Sequence, residues 1–331
     1  MNKIYSCGIL GLGSSLPEKV LTNFDLEKMV DTSDEWIVKR TGISERRVLR
    51  EDEPAYKLAV DAGRKALDDA GISPEELDLI IVATETPDYY TPSMACIVQS
   101  NLNATNAAAF DLNSACSGFI YALTVSSQFI QNGYYKYILL IGCEGLSKII
   151  DWKDRNTCVL FGDGAGAAVV GRVDEGYGII ATHIGADGSL GRCITAPSTY
   201  ASPEDLEVRK GDNKRVLVMD GSEVFKFAVK VMERGTIEVL EQSNMTLDDI
   251  KLIIPHQANI RILDNAAKRL GISKDKVFSN LYKYGNISSA SIPVGLEEAY
   301  KNNLFSKGDN LVLVSFGAGL TWASALIKWS K

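Results

Sequence analysis

The sequence predicts an α/β fold with largely buried strands. Apolar runs of strand length alternate with stretches of helical pattern along all 331 residues. The composition, 46% hydrophobic and 23% charged, is that of an ordinary folded protein. A chain of this length forms one large or two ordinary domains with a sizeable core.

A faint internal repeat indicates two similar halves. Segment 73–82 resembles segment 246–255 in pattern and place. A second correspondence pairs 137–143 and 162–170 with 311–316 and 317–327. The period of this repeat is far too long for a solenoid. We therefore expect halves at residues 1–174 and 175–331, packed as one body.

In the first half, apolar runs predict strands at 4–12, 79–84, 107–113, 137–143 and 166–173. Helical patterns lie between them at 53–70, 93–101 and 116–132, with a short one near Asp34. The helix at 53–70 ends as helices commonly do, because Gly71 follows its last apolar turn.

The second half repeats the alternation. Strands are predicted at 178–186, 250–255, 277–281, 310–316 and 323–329. Helices are predicted at 222–243, 259–270 and 291–302. Segment 197–214 is polar, charged and poor in pattern, so we expect it to be a flexible excursion from the fold.

Charge and hydropathy argue against several functions. With 35 basic and 42 acidic residues, the net charge of −7 disfavours general binding to nucleic acid or anionic membranes. No apolar run approaches the roughly 20 residues that cross a bilayer. The first residues lead into a strand pattern without the architecture of a signal peptide, so we expect a cytoplasmic protein.

The cysteines form no metal or disulfide pattern. None of the six belongs to a C-x-x-C pair, and the chain has only two histidines, His183 and His256. We therefore expect no zinc site and no disulfide framework. Most of these cysteines should be inert core residues.

Cys116 differs in its context. A buried strand is predicted to end near Asn113, small residues form a turn, and a helical pattern begins near Cys116. Backbone N–H groups at the start of a helix favour a thiolate, and small neighbours give a substrate access to the sulfur. A buried structural cysteine would fit the same pattern.

Two further polar residues follow the same logic. His256 lies where an apolar strand gives way to a helix, the position at which ligands collect in α/β proteins. A hydrogen-bonded structural histidine is an equal alternative. Asn286 lies in a Gly-Asn pair before a helix, where the ordinary role of such a residue is to form a turn.

The glycine-rich segments do not predict a nucleotide site. Segment 162–166 lacks the Gly-Lys-Ser/Thr ending of a phosphate loop and precedes a strand, and segment 11–16 lacks the third glycine of a dinucleotide motif. We expect neither ATP nor NAD. The small-residue turn at 316–320 fits either a tight hairpin or a backbone donor to an oxyanion.

Together these segments resemble the β-ketoacyl-acyl-carrier-protein synthase III family of the thiolase superfamily. The resemblance runs over nearly the whole chain. Its motifs are Asp34-Glu-Trp-Ile-Val-Lys-Arg-Thr-Gly-Ile43, Phe161-Gly-Asp-Gly-Ala-Gly-Ala167 and Pro255-His-Gln-Ala-Asn259, besides the Cys116 and Asn286 segments. It implies a thiolase-like five-layered αβαβα fold of two duplicated halves, and a homodimer.

The resemblance also implies an activity. Cys116 is expected to take an acyl group from acyl-CoA, and malonyl-acyl carrier protein then loses carbon dioxide and attacks that thioester. His256 and Asn286 are expected to donate hydrogen bonds to the carbonyl that becomes the enolate. The backbone N–H groups of Cys116 and Ala318 are expected to form the oxyanion hole. No cofactor is implied, since acyl-CoA and malonyl-carrier protein are substrates.

The third catalytic position separates this chain from related families. Chain-elongating relatives have Cys-His-His and thiolases have Cys-His-Cys, whereas this sequence has Asn286. Chalcone-synthase-like enzymes share Cys-His-Asn but lack the segment around Trp36. The resemblance therefore points to the initiating condensation of fatty-acid synthesis.

Further positions carry over from the family. Those expected to bind CoA and its pantetheine arm are Trp36, Arg40, Thr41, Arg155, Phe225, Ala258 and Asn259. Those expected to line the acyl pocket are Thr91, Leu146 and Phe161, with Thr91 in place of a larger residue and so leaving room for longer or branched primers. Those expected to dock the acidic carrier protein are Lys226, Arg261, Lys268 and Arg269. The same residues also suit packing or a solvated helix face.

Three other functions remain open from the sequence. A condensing enzyme of secondary metabolism would use the same residues with another primer or acceptor. A Cys-His-Asn hydrolase shares the residue types, although the surrounding motifs differ. A non-catalytic subunit that binds carrier protein would not need intact Cys116, His256 and Asn286.

Overall fold

The computed structural model describes residues 4–202 and 215–331. Its strands form two main sheets and two short ribbons. Most of the predicted excursion at 197–214 lies outside the described residues. None of the described helices is both long enough and apolar enough to cross a bilayer.

The first sheet has five strands. They are β1 (Cys7–Ser15), β4 (Leu79–Ala83), β5 (Ala108–Leu112), β6 (Tyr137–Gly145) and β7 (Asp163–Arg172), while β2 (Val20–Thr22) and β3 (Glu45–Arg47) pair as a ribbon. Their order is β1-β7-β6-β4-β5. β4 runs parallel to β5 and β6, whereas β7 runs antiparallel to β6 and β1.

The second sheet repeats this arrangement. Its strands are β8 (Gly178–Ala186), β11 (Leu252–Pro255), β12 (Asn310–Gly317) and β13 (Thr321–Lys328), while β9 (Ile194–Thr195) and β10 (Val218–Met219) form the second ribbon. In the order β8-β13-β12-β11, each strand has the position and direction of β1, β7, β6 and β4. This repetition supports the predicted division at 174/175, which stays a prediction.

The predicted strand at 277–281 is wrong beyond its first residue. Only Val277 bridges to Ile253, at the place that β5 has in the first sheet. The side chain of Gln257 donates to the Phe278 carbonyl at 3.3 Å and accepts from the Asn280 N–H at 3.2 Å. These backbone groups are therefore satisfied by a side chain, not by a neighbouring strand.

The α-helices of the described residues are α1 (Asn23–Leu26), α2 (Asp34–Thr41), α3 (Tyr56–Ala70), α4 (Met94–Leu102), α5 (Gly118–Gln131), α6 (Gly221–Gln242), α7 (Ile260–Leu270), α8 (Leu281–Tyr284) and α9 (Ser291–Lys301). Six of them form three layers. α3 and α4 cover the outer face of the first sheet, and α6 and α7 cover that of the second. α5 and α9 lie between the sheets. The layers thus run α, β, α, β, α, as the resemblance implies.

Burial distinguishes the central strands from the edge. Every residue of β4 is buried, because helices cover both faces of its sheet. β5 is an edge strand whose residues are exposed or half-buried, and the Phe110 side chain is 38% exposed. The expectation of a buried strand before Cys116 is therefore wrong within one chain.

Candidate active site

One cavity of about 520 Å³ collects the predicted catalytic residues. Cys116 precedes α5, His256 follows β11, Asn286 precedes α9, and Ala318 lies in the turn between β12 and β13. All four line the cavity. The cavity therefore lies at strand ends and helix starts, where α/β proteins commonly bind ligands.

Cys116 lies in a 3-10 turn, Ala115–Ser117, directly before α5. Ala115 has a φ of 47°, in the left-handed region that residues other than glycine rarely adopt. The Cys116 carbonyl accepts the Ser315 hydroxyl at 2.7 Å. A Cβ on Gly317 would lie 2.8 Å from the Cys116 nitrogen, so only glycine lets the β12 end approach this backbone.

The surroundings of Cys116 favour its protonated thiol. Burial raises its pKa well above the ordinary value, and the carboxylates of Glu85 and Glu144 raise it further. The nearby Ser288 side chain lowers this pKa in part. The thiolate expected from the start of the helix is therefore not favoured, because burial and negative charge outweigh the backbone N–H groups.

The buried imidazole of His256 is held at one nitrogen. The Ser291 hydroxyl donates to the Ser288 carbonyl at 2.8 Å and lies 2.7 Å from His256 Nδ1. The imidazole Nε2 is buried without a hydrogen-bond partner among the described residues. Burial lowers the pKa of His256 to about 3, so the ring is neutral near pH 7. Nε2 carries the proton in the tautomer whose Nδ1 accepts from the Ser291 hydroxyl, which then no longer donates to the Ser288 carbonyl.

Asn286 is fixed by its backbone and by one side-chain oxygen. Its N–H donates to the Leu160 carbonyl at 2.8 Å, and its carbonyl accepts the Gly162 N–H at 2.9 Å. Its Oδ1 accepts the Ser288 N–H at 2.9 Å. The amide Nδ2 is therefore the end of the side chain that is left for a ligand. Asn286 therefore forms the turn expected of a Gly-Asn pair and also presents an amide donor to the cavity.

Sequence reasoning missed Glu85, Glu144 and Ser288. Glu85 follows β4 and lines the cavity, and its Oε1 accepts the Ser288 hydroxyl at 2.7 Å. Glu144 is fully buried at the end of β6 and accepts bonds from Thr86 and Ser289, at 2.6 and 2.7 Å. A charged residue shortly after an apolar run was the only signal for Glu85. The contact with Ser288 spans 203 residues of sequence, which no local pattern predicts.

All seven positions expected to bind CoA line the cavity. Arg40 and Arg155 lie over the Trp36 ring, with guanidinium carbons 4.9 and 5.3 Å from the ring centroid. Arg155 also donates to the Asp31 carbonyl at 2.9 Å. An aromatic face between two cations suits a nucleotide base and its phosphates. The other lining residues from this set are Thr41, Phe225, Ala258 and Asn259.

Of the three residues expected to line the acyl pocket, only one lines the cavity. Phe161 lines the cavity, with Leu217 and Met219 of the segment around β10, which the sequence pattern did not reveal as part of a site. Leu146 is fully buried in the apolar cluster that contains Phe161 and does not itself line the cavity. Thr91 is exposed and lies outside it, because the segment after Thr84 leaves the sheet for the surface.

The expected docking residues lie on two packed helices. Lys226 on α6 is exposed and pairs with Glu223 at 2.7 Å. Arg261, in the first turn of α7, lines the cavity. Lys268 and Arg269 lie in the last turn of α7, roughly 10 Å farther along the helix. Arg261 thus belongs to the cavity mouth, and the other three extend from it over the surface.

Comparisons with known proteins agree over nearly the whole chain. Residues 110–188 match the family model described as 3-oxoacyl-[acyl-carrier-protein (ACP)] synthase III, and residues 240–329 match the model of its C-terminal part. A protein of Caldanaerobacter subterraneus subsp. tengcongensis, named β-ketoacyl-[acyl-carrier-protein] synthase III, is 59% identical over 330 residues, with 98% of each chain covered.

Two solved structures extend the comparison. The 3-oxoacyl-[acyl-carrier-protein] synthase III of Aquifex aeolicus VF5 is 49% identical, with a TM-score of 0.91 and coverage of 98% of this chain and 100% of that one. The priming β-ketosynthase of the R1128 polyketide biosynthetic pathway is 35% identical, with a TM-score of 0.91 and coverage of 99% and 97%.

Proposed function

The chain belongs to the β-ketoacyl-[acyl-carrier-protein] synthase III family, and from that premise we propose how its residues carry out the initiating condensation of fatty-acid synthesis. The enzyme is an acyltransferase of the thiolase fold. The substrates are an acyl-CoA primer and malonyl-acyl carrier protein, and the products are 3-ketoacyl-carrier protein, CoA and carbon dioxide. The shared cavity of Cys116, His256 and Asn286 is the observation that carries the assignment of roles.

In the first step, Cys116 is the nucleophile. Its sulfur attacks the primer carbonyl, forms a thioester and releases CoA. The N–H groups of Cys116 and Ala318 stabilise the oxyanion that forms during this attack. The close approach of Gly317 to the Cys116 nitrogen supports this pair, since it brings the β12–β13 turn to the nucleophile.

In the second step, His256 and Asn286 act on the malonyl thioester. Loss of carbon dioxide leaves an enolate, whose oxygen accepts hydrogen bonds from His256 Nε2 and Asn286 Nδ2. The unpartnered Nε2 and the fixed Oδ1 of Asn286 support these roles. Both donors are neutral and act in a buried site, where such bonds are stronger than in water. The enolate carbon then attacks the carbonyl carbon of the Cys116 thioester, the carbon–sulfur bond breaks, and Cys116 leaves as a thiolate from the 3-ketoacyl-carrier protein.

Binding of both thioesters uses the remaining wall of the cavity. The Trp36 ring, between Arg40 and Arg155, suits the CoA nucleotide, while Thr41, Phe225, Ala258 and Asn259 suit the pantetheine arm. The primer chain packs on Phe161. We do not assign that contact to Thr91 or Leu146, since neither lines the cavity of a single chain.

The proposed macromolecular partner is an acidic acyl carrier protein. Arg261 at the cavity mouth, with Lys226, Lys268 and Arg269 beyond it, gives a local basic surface on a chain of net charge −7. A homodimer is also proposed, supported by the unpaired, partly exposed edge strand β5. The proposed location is the cytoplasm, which fits the absence of a membrane-spanning helix among the described residues.

Product analysis tests the proposed reaction. The enzyme is incubated with acetyl-, isobutyryl- or octanoyl-CoA and malonyl-carrier protein, and the products are identified by mass spectrometry. We expect 3-ketoacyl-carrier protein from wild type and none from Cys116→Ser. Release of free acid without a new carbon–carbon bond would instead identify a hydrolase. Condensation only with another acceptor would identify an enzyme of secondary metabolism. The similarity to the priming ketosynthase of a polyketide pathway is the reason to test this alternative.

A further inference from the structure

Arg46 is a buried cation that has no role in the condensation described above. It lies in β3, its side chain is fully buried, and it does not line the cavity. Its Nη1 donates to the Leu21 carbonyl at 3.1 Å and to Asn23 Oδ1 at 2.9 Å, and its Nη2 donates to the Val159 carbonyl at 2.9 Å. These acceptors are neutral, although buried charges are usually paired. Their geometry accounts for an arginine here, because a planar fork of donors reaches all three.

The Asn23 contact leads to α2, the helix that carries Trp36 and Arg40. Asn23 is fully buried, and its Nδ2 donates to Asp34 Oδ1 at 2.8 Å and to the Ile43 carbonyl at 2.7 Å. The first of these acceptors begins α2, and the second lies just beyond its end. Only two of the eight residues of α2 are buried, so apolar packing gives this short helix little support. The guanidinium is thereby connected, through one amide, to both ends of α2.

The Val159 contact leads to the segment that carries Arg155. Residues 155–160 form turns, so neither a sheet nor a helix fixes their position. Arg155 itself donates to the Asp31 carbonyl at 2.9 Å, near the start of α2, but that bond is exposed and water competes for both groups. Arg46 therefore provides a buried connection between this segment and α2.

The aliphatic part of Arg46 has a separate contact with the backbone around Asn286. A Cβ on Gly162 would lie 3.2 Å from the Arg46 Cβ, and one on Gly285 would lie 3.4 Å from it. Lysine has the same first methylene groups and the same charge, but its ammonium is a single point and not a fork. Arg46→Lys therefore separates the hydrogen-bonding role of the guanidinium from the support of Asn286.

We propose that Arg46 is a positioning residue for the nucleotide of CoA. It holds α2 and residues 155–160 at the separation at which Arg40 and Arg155 lie over the Trp36 ring, 4.9 and 5.3 Å from its centroid. This inference rests on the condensing function and the CoA contacts proposed above. A wall that is already arranged loses less conformational freedom when the nucleotide binds, so the contribution of Arg46 appears as affinity for CoA substrates.

A comparison of acetyl-CoA with acetyl-pantetheine, which lacks the nucleotide, tests this role. Quenched-flow mass spectrometry gives the second-order rate constant of acylation for each substrate. Both constants come from one preparation, so their ratio does not depend on how much of the enzyme is folded. In Arg46→Lys we expect the constant to fall about tenfold or more with acetyl-CoA and to stay within about threefold of wild type with acetyl-pantetheine.

Two further variants make the test specific. Asn23→Asp keeps an acceptor for Arg46 but loses the Nδ2 that donates to Asp34, so it should show the same selective loss with acetyl-CoA. Arg47→Lys is the matched control, because Arg47 is the next residue of β3, is half-buried and does not line the cavity. It should leave both constants unchanged, and a selective loss in this control would contradict a specific role for Arg46.

Equal losses with the two substrates would overturn the proposal, since Arg46 would then support the fold and not the nucleotide site. Unchanged constants in Arg46→Lys and Asn23→Asp would overturn it as well. If Arg46→Lys does not fold, Asn23→Asp decides alone. If wild type itself formed no acyl-enzyme, the proposed function would fail instead. Equal acylation of wild type by the two substrates would remove the nucleotide site, and the role of Arg46 with it.

Discussion

Replacing Asn286 tests the enolate contact separately from acylation. Asn286→Ala removes the Nδ2 donor and also the Oδ1 that accepts the Ser288 N–H at 2.9 Å. Asn286→Asp keeps that acceptor and, when ionised, replaces the donor with a negatively charged oxygen. Loss of one donor to a developing oxyanion costs about 2.7–4 kcal/mol, or 100- to 1,000-fold in rate. Loss of the Ser288 contact costs only about 1 kcal/mol of stability.

The assay uses enzyme that has first been acylated to completion. It is mixed with malonyl-carrier protein at pH 8.5, where an aspartate at this position is ionised, and the 3-keto product is measured by rapid quench. We expect both variants to acylate normally and to condense at least 100-fold more slowly than wild type. Condensation of Asn286→Asp within threefold of wild type would refute the reasoning, since the donor would then be dispensable.

Three further predictions follow from the same geometry. Ser291→Ala removes the partner of His256 Nδ1 at 2.7 Å and should slow condensation roughly tenfold while acylation stays normal. Single-turnover rates of the two steps test this, and condensation at the wild-type rate would contradict it. The pKa of His256 is about 3 when folded and 6.5 in the unfolded reference, so protonation favours the unfolded chain as the pH falls below 6.5. Between pH 6.5 and 5, this residue should therefore lower the free energy of unfolding by about 2 kcal/mol. Denaturant titrations should show this decrease in wild type and not in His256→Gln. The same dependence of the unfolding free energy on pH in both proteins would contradict the prediction. Arg261→Glu should raise KM for the carrier-protein substrate and leave the rate of acyl transfer from CoA unchanged. Lys230→Glu, at another exposed position, is the control. An unchanged KM in Arg261→Glu would remove Arg261 from the docking surface.

The sequence predicted most of the strands well because buried strands are visible in it, whereas the layers came from the family resemblance. β8 was predicted at its observed bounds, 178–186, and β4 within one residue, since a short apolar run bounded by polar residues is typical of a buried strand. The segment at 277–281 misled for the same reason. Its apolar residues are consistent with a strand, but the long-range contacts of Gln257 satisfy its backbone.

The site was predicted in part. Cys116, His256 and Asn286 were singled out by their positions at element ends, and the structure brings them to one cavity. The protonation state of Cys116 was not predictable, because it depends on Glu85 and Glu144, which approach only through the fold. The exposure of β5 was also hidden, since an apolar run does not reveal whether a sheet continues beyond it.

Intact-mass spectrometry in two stages tests the central claim most directly. The protein is first incubated with acyl-CoA and then with malonyl-carrier protein. We predict a mass gain of one acyl group that is absent from Cys116→Ser, followed by its loss as 3-ketoacyl-carrier protein forms. An enzyme that condenses without an acyl adduct, or whose adduct persists in Cys116→Ser, would contradict the assignment of Cys116 as the nucleophile.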